Sequence, residues 1–159
     1  MEDLFAGLDV STQGQKIVII DLEKRSVIYS DSINYDIDLP KYNTLNGVLK
    51  DTNFGVSESN PIMWIDSLHL IFERLKTSSD IIQSIKAISV AGQQHGLVAI
   101  NKDGNLAKST SKLWNDFSTA EECEILTKQI GGSEQMIREV ANSQRTGYTA
   151  SKIFHMYRN

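Results

Sequence analysis

Four short stretches hold the residues whose types and spacing could do chemistry. In the first, Asp9 precedes Ser11 and Thr12, and Lys16 follows. A carboxylate at a strand end beside a hydroxyl-bearing turn can hold a hydrated Mg²⁺ while backbone N–H groups face phosphate oxygens. The second is Gly92-Gln93-Gln94-His95-Gly96. Amides both donate and accept hydrogen bonds and a neutral imidazole does one of each, which suits a neutral polyhydroxylated ligand. The third, Trp114-Asn115-Asp116, sets a flat apolar wall beside two groups able to bond hydroxyls. The fourth, Gly147-Tyr148-Thr149-Ala150-Ser151-Lys152, is a loop entering a helix, with Thr149 or Ser151 as its cap.

Each stretch also has a plainer use. Asp9 can open a hairpin turn in which Ser11 and Thr12 bond their own backbone. His95 can cap a polar turn, and Trp114 can be a core residue with Asp116 as a loop or capping group. His69 and His155 read as structural or exposed, Lys102 and Lys108 as surface charges, and Cys123 as inert packing on a helix.

The elements that must position these groups follow from periodicity. Leu4–Asp9, Lys16–Asp21 and Val27–Ser30 predict three short strands joined by tight turns, an antiparallel meander. Periodicity disappears from Asp36 to Asn60, which predicts a long ordered loop. Asn60-Pro61 then predicts a helix start. Trp64, Leu68, Ile71, Phe72 and Leu75 recur at helical spacing and predict a packed amphipathic helix. Ile85–Val90 predicts a buried central strand delivering the Gln94-His95 turn, and Gly96–Ile100 a strand paired near it. Asp103-Gly104 signals a hairpin. Helices are predicted from Ser118-Thr119 to Gly131, from Ser133 to Ala141 and from Thr149 to Asn159.

Composition excludes several classes. With 159 residues, 40% hydrophobic and 23% charged, the chain suits one globular domain. A net charge of −4 argues against nucleic acid and anionic membrane surfaces as partners. No apolar run approaches the ~20 residues of a membrane span. The acidic start lacks the basic region of a signal peptide. The single cysteine forms no internal disulfide and fits the reducing cytoplasm. One Cys and three scattered His show no metal-ligand cluster.

Together and in this order, the four stretches resemble the start of the FGGY family of carbohydrate kinases, and within it the xylulokinases. Leu8-Asp9-Val10-Ser11-Thr12-Gln13 is similar to the family's opening turn, and Gly92–Gly96 to its glycine-flanked Gln-x-His-Gly. Trp114-Asn115-Asp116 is similar to its Trp-x-Asp, and Tyr148–Lys152 to its aromatic-Thr-Ala-x-Lys. Asp38–Tyr42 and Pro61–Trp64 resemble the insertion of animal- and plant-type members. Gly147 stands where eukaryotic-type members carry an Arg, and Arg145 lies two positions too early to replace it.

The resemblance implies a ribonuclease-H-like (actin/hexokinase-type) α/β fold, a mixed five-stranded sheet with helices on both sides. Residues 1–159 would be an incomplete N-terminal, sugar-binding domain, with the second, ATP-binding domain absent. Gln94 and His95 would bind sugar hydroxyls, with Trp114 and Asp116 lining the pocket. Asp9 would organise Mg²⁺, and Ser11, Thr12 and Lys16 would lie near the phosphates of ATP. The implied reaction moves the γ-phosphoryl group to a ketopentose, D-xylulose first, with ribulose or another polyol as the alternative acceptor. The family's catalytic base is a later Asp, and this chain has no Asp after residue 116. Alone it is therefore expected to bind ATP weakly without turnover. A non-catalytic sugar-binding or regulatory module, one half of a split enzyme, and self-association through an unpaired strand edge remain open.

Overall fold

A computed structural model describes residues 3–50, 53–78 and 80–159. The first two residues of the acidic start, and two positions of the 36–60 loop, lie outside the described residues. The chain divides into two compact units, Met1–Lys50 with Asn60–Gln93, and Asp51–Ser59 with Gln94–Asn159.

The first unit is built on a mixed sheet. Strands β1 (Leu4–Val10), β2 (Gly14–Asp21) and β3 (Ser26–Asn34) form the predicted meander. Strand β4 (Ile85–Gly92) lies parallel to β1, giving the order β3-β2-β1-β4. Alternation decides the faces: Leu4, Ala6, Leu8, Ile17 and Ile19 are buried, while Gly7, Asp9, Lys16 and Ile20 are exposed. Helix α1 (Pro61–Ser78) packs against β2 and β3 and buries Met63, Ile71 and Leu75. Each such side chain contributes roughly 1.5–3 kcal/mol. Its start is as predicted: Asn60 Oδ1 accepts from the Ile62 N–H at 2.9 Å, with Pro61 in the first turn.

Three expectations need correction. The sheet has four strands among the described residues rather than five, and Gly96–Ile100 makes only isolated bridges, Leu97 to Lys112 and Ile100 to Leu106. Strand β4 is an edge strand and not a buried central one. Among the described residues it has a neighbour on one side only, and Lys86 to Gly92 are all exposed.

The 36–60 loop is also more regular than its composition suggests. A helical turn, Tyr35–Asp38, is followed by a 3₁₀ turn and a small hairpin pairing Thr44–Leu45 with Val48–Leu49. Asn46 and Gly47 both have positive φ, the geometry a two-residue hairpin turn requires. Asp36 ties the hairpin down by accepting from Thr44 Oγ1 (2.7 Å), Asn46 N–H (2.6 Å) and Gly47 N–H (3.1 Å).

In the second unit, Glu58–Ser59 pairs with Ser111–Lys112, and three helices follow: α2 (Ala120–Gln129), α3 (Ser133–Val140) and α4 (Thr149–Arg158). All three lie where periodicity places them. The cap of α4 is Tyr148, not Thr149 or Ser151. Ser151 is buried and shares a 2.9 Å hydrogen bond with Thr119. Among the described residues no helix is long and apolar enough to cross a membrane.

Candidate functional site

The first candidate half-site lies at the end of β1. Asp9 is exposed there, and Ser11 Oγ donates to its Oδ2 at 2.7 Å. The turn is closed by Ser11 N–H donating to the Gly14 carbonyl at 2.9 Å. Lys16 sits directly opposite Asp9 in the antiparallel ladder, so its ammonium shares the exposed face with the carboxylate. Asp9, Ser11, Gln15, Lys16 and Asn34 line one depression of about 250 Å³. Thr12 is not part of that wall; its Oγ1 donates to Gln93 Oε1 at 3.3 Å. Gln93 in turn donates its N–H to the Val10 carbonyl at 3.1 Å, so the turn after β1 is stitched to the end of β4.

Two features bear on what this depression could hold. Among the described residues no cluster of three ligating side chains forms a metal cage. One exposed carboxylate does fit Mg²⁺, which is commonly held by one or two carboxylates plus waters and substrate phosphates. Gln15 is 2% exposed; its Oε1 accepts from Ser67, and its Nε2 is buried with no hydrogen-bond partner. A buried donor left unmatched is costly.

The second candidate half-site is in the second unit. Gln94 and His95 are both exposed, and His95 has a φ of +59°, unusual for a residue with a side chain. The His95 ring lies 4.6 Å from that of Tyr148, tilted by 38°. Beneath it, the wholly buried Lys152 donates from Nζ to the His95 and Gly147 carbonyls, each at 2.7 Å. Burial pushes the Lys152 ammonium down to about 8, against the opposing pull of Asp116 and with a smaller push from Lys112.

Trp114 and Asp116 have opposite fates. Trp114 is 50% exposed. Asp116 is fully buried: Oδ2 accepts from Ser57 N–H (2.8 Å) and Lys112 Nζ (3.3 Å), and Oδ1 from Ser118 N–H (3.1 Å) and Ser118 Oγ (2.6 Å). It thus holds the turn carrying Trp114 instead of lining a pocket, because both its oxygens are engaged inside the fold. Asn115 Oδ1 accepts from Ser57 Oγ at 2.7 Å and braces the same turn.

Gly147 and Lys152 are among the residues that sequence reasoning quoted without a role. A Cβ on Gly147 would come within 2.5 Å of the Trp114 carbonyl, so only glycine lets that segment approach. A buried lysine breaks the rule that charged residues lie outside, so apolar periodicity could not find it.

Residues 4–159 match the profile of the FGGY family of carbohydrate kinases, N-terminal domain. The chain is 36% identical over 169 residues to a xylulose kinase of Schizosaccharomyces pombe, covering 94% of this chain and 30% of that protein. It is 33% identical over 170 residues to a xylulose kinase of Rattus norvegicus, covering 93% and 32%. A xylulose kinase structure from Rhodospirillum rubrum superposes with a TM-score of 0.81 at 19% identity, over 98% of this chain and 29% of that one, a likeness of fold. The chain thus spans about three tenths of the length of these curated relatives.

Proposed function

Because the chain belongs to the FGGY family of carbohydrate kinases, we propose that its two half-sites serve transfer of the γ-phosphoryl group of ATP to a ketopentose, D-xylulose first. The observation that carries this reading is the exposed Gln94-His95 turn, in a chain that matches xylulose kinases along nearly its whole length. Gln94 and His95 offer uncharged donors and acceptors to sugar hydroxyls, and Trp114 offers its indole to the apolar face of the sugar. Asp116 positions Trp114.

In the first unit Lys16 and the turn residues Ser11 and Thr12 serve the phosphates, and Asp9 serves Mg²⁺, which when bound neutralises phosphate charge. Phosphoryl transfer asks a protein mainly for positioning and charge stabilisation, and these residues supply part of both. The base that accepts the hydroxyl proton, and most of the adenosine site, are assigned to residues other than these 159. Taken alone, these 159 residues bind without turning over, in a cytoplasmic setting that the lone cysteine fits. The open edge of β4 favours self-association of the isolated chain at high concentration.

Calorimetry with D-xylulose, D-ribulose and glycerol, repeated on His95→Ala, tests this. Xylulose binding lost in the variant is the expected result. Silence with all three sugars from a folded chain would refute a preformed sugar site. Xylulose phosphorylation above an Asp9→Ala control would refute the assignment of the base to another domain.

A further inference from the structure

We infer that Lys152 is the positioning residue of the sugar half-site, holding His95 in its left-handed conformation and tying the His95 turn to the segment packed on Trp114. This rests on the reading of Gln94, His95 and Trp114 as sugar-facing.

The backbone of His95 needs support. A non-glycine residue in the left-handed region is disfavoured by roughly 1–2 kcal/mol, and such strain persists only where the surroundings over-determine it. Two contacts here do so. The His95 carbonyl accepts a charge-assisted hydrogen bond of 2.7 Å from Lys152, and the ring rests on Tyr148. Both partners come from the same six-residue segment, Gly147–Lys152.

The second bond of the same ammonium reaches the other wall. Lys152 Nζ also donates to the Gly147 carbonyl at 2.7 Å, and Gly147 lies against the Trp114 carbonyl with no room for a Cβ. One charge therefore fixes the two backbone segments that carry the imidazole and the indole. Burying an ammonium is expensive unless it is hydrogen-bonded, and an apolar side chain would fill the same space without that cost. What the apolar replacement would lose is the donor pair, and both acceptors adjoin or belong to sugar-facing residues. Asp116 and Lys112 are the charged groups that act on Lys152. Asp116 is itself the group that holds the Trp114 turn, so the support of the half-site is continuous.

Lys152→Met keeps the length and apolar stem while removing the donors, and Met136→Ala, buried elsewhere in the same unit, is the control for general destabilisation. Two readouts are needed: backbone amide shifts and HN–Hα couplings of Gln94, His95 and Gly96 by NMR, and calorimetric titration with D-xylulose. In Lys152→Met the turn resonances should move away from the left-handed signature and Kd should rise at least tenfold. Met136→Ala should lower thermal stability yet keep both. An unchanged His95 coupling in Lys152→Met overturns the inference, as does an equal loss of affinity in Met136→Ala. If the wild-type chain binds no sugar while its turn still responds to Lys152→Met, the clamp stands and the sugar reading falls. Should Lys152→Met not fold, Lys152→Gln, whose shorter, uncharged amide cannot reproduce both 2.7 Å bonds of the ammonium, should shift the turn resonances and weaken binding, and an unchanged His95 coupling in it overturns the inference.

Discussion

Replacing Asp116 by Asn keeps its volume and removes its charge, so it isolates what the buried carboxylate contributes. In the native chain four donors converge on two oxygens, from Ser57, Lys112 and, twice, Ser118. An amide offers one oxygen and one NH₂. If the oxygen keeps Ser57 and Lys112, the NH₂ confronts the Ser118 N–H, and only the Ser118 hydroxyl can turn round to accept. Hydrogen bonds to a charged group contribute about 1.5–3 kcal/mol each, and one is lost outright while the others weaken. Lys112 keeps a second carboxylate, Glu58, at 3.2 Å, which offsets part of the loss. The net expectation is a destabilisation of about 2–3 kcal/mol. For a unit of this size that is a fall in Tm of roughly 10–20 °C. The assay is thermal unfolding followed by Trp114 fluorescence in a Trp64→Phe background, since Trp114 is two residues away and half exposed. A fall of under about 3 °C would refute the view that this carboxylate organises the Trp114 turn.

Two further outcomes follow from the first unit. Burial works to raise the Asp36 carboxyl, but Thr44 Oγ1 and the Gly47 and Asn46 amides hold it below the usual range. Its folded value lies under its unfolded one, so its contribution is complete above about pH 4 and lost as pH falls through the folded value. The amides of Asn46 and Gly47 should therefore lose hydrogen-exchange protection in acid, and Asp36→Asn should abolish that acid step. In Gly47→Ala the new Cβ would stand 1.8 Å from the Thr12 carbonyl oxygen, at a φ of +76° that disfavours any side chain. The variant should lose more than about 1 kcal/mol in urea unfolding and bind Mg-ATP more weakly than wild type; unchanged nucleotide affinity would separate Gly47 from the phosphate turn.

What could be read from the sequence was what depends on neighbours along the chain. The meander, the Asn60-Pro61 start of α1 and the buried pair Ile71 and Leu75 follow from periodicity and capping, which act over a few residues. Asn46-Gly47 was equally legible as a hairpin turn between Thr44-Leu45 and Val48-Leu49, but the polar surroundings of that loop concealed it. Strand β4 shows where local reading ends. Its apolar run, Ile85 to Val90, is what a buried strand looks like, yet burial depends on what packs against it, and Ile88 and Val90 are 48% and 66% exposed. The same limit explains Asp116 and Lys152. Residue type marked both stretches as chemical, but only the fold shows that Asp116 is enclosed by Ser57, Lys112 and Ser118 while Lys152 lies under His95.

The positive φ of His95 also restricts which amino acids that position can try. Gly, Asn and Asp enter the left-handed region readily, whereas Thr, Val and Ile are nearly shut out by their branched Cβ. Gln94, one residue earlier, has no such restriction. A lineage or a designer changing the preferred ligand therefore has a wide vocabulary at Gln94 and a narrow one at His95. Variant libraries randomised at both positions should show it, with survivors at 95 drawn from His, Asn, Asp and Gly and those at 94 spread across many.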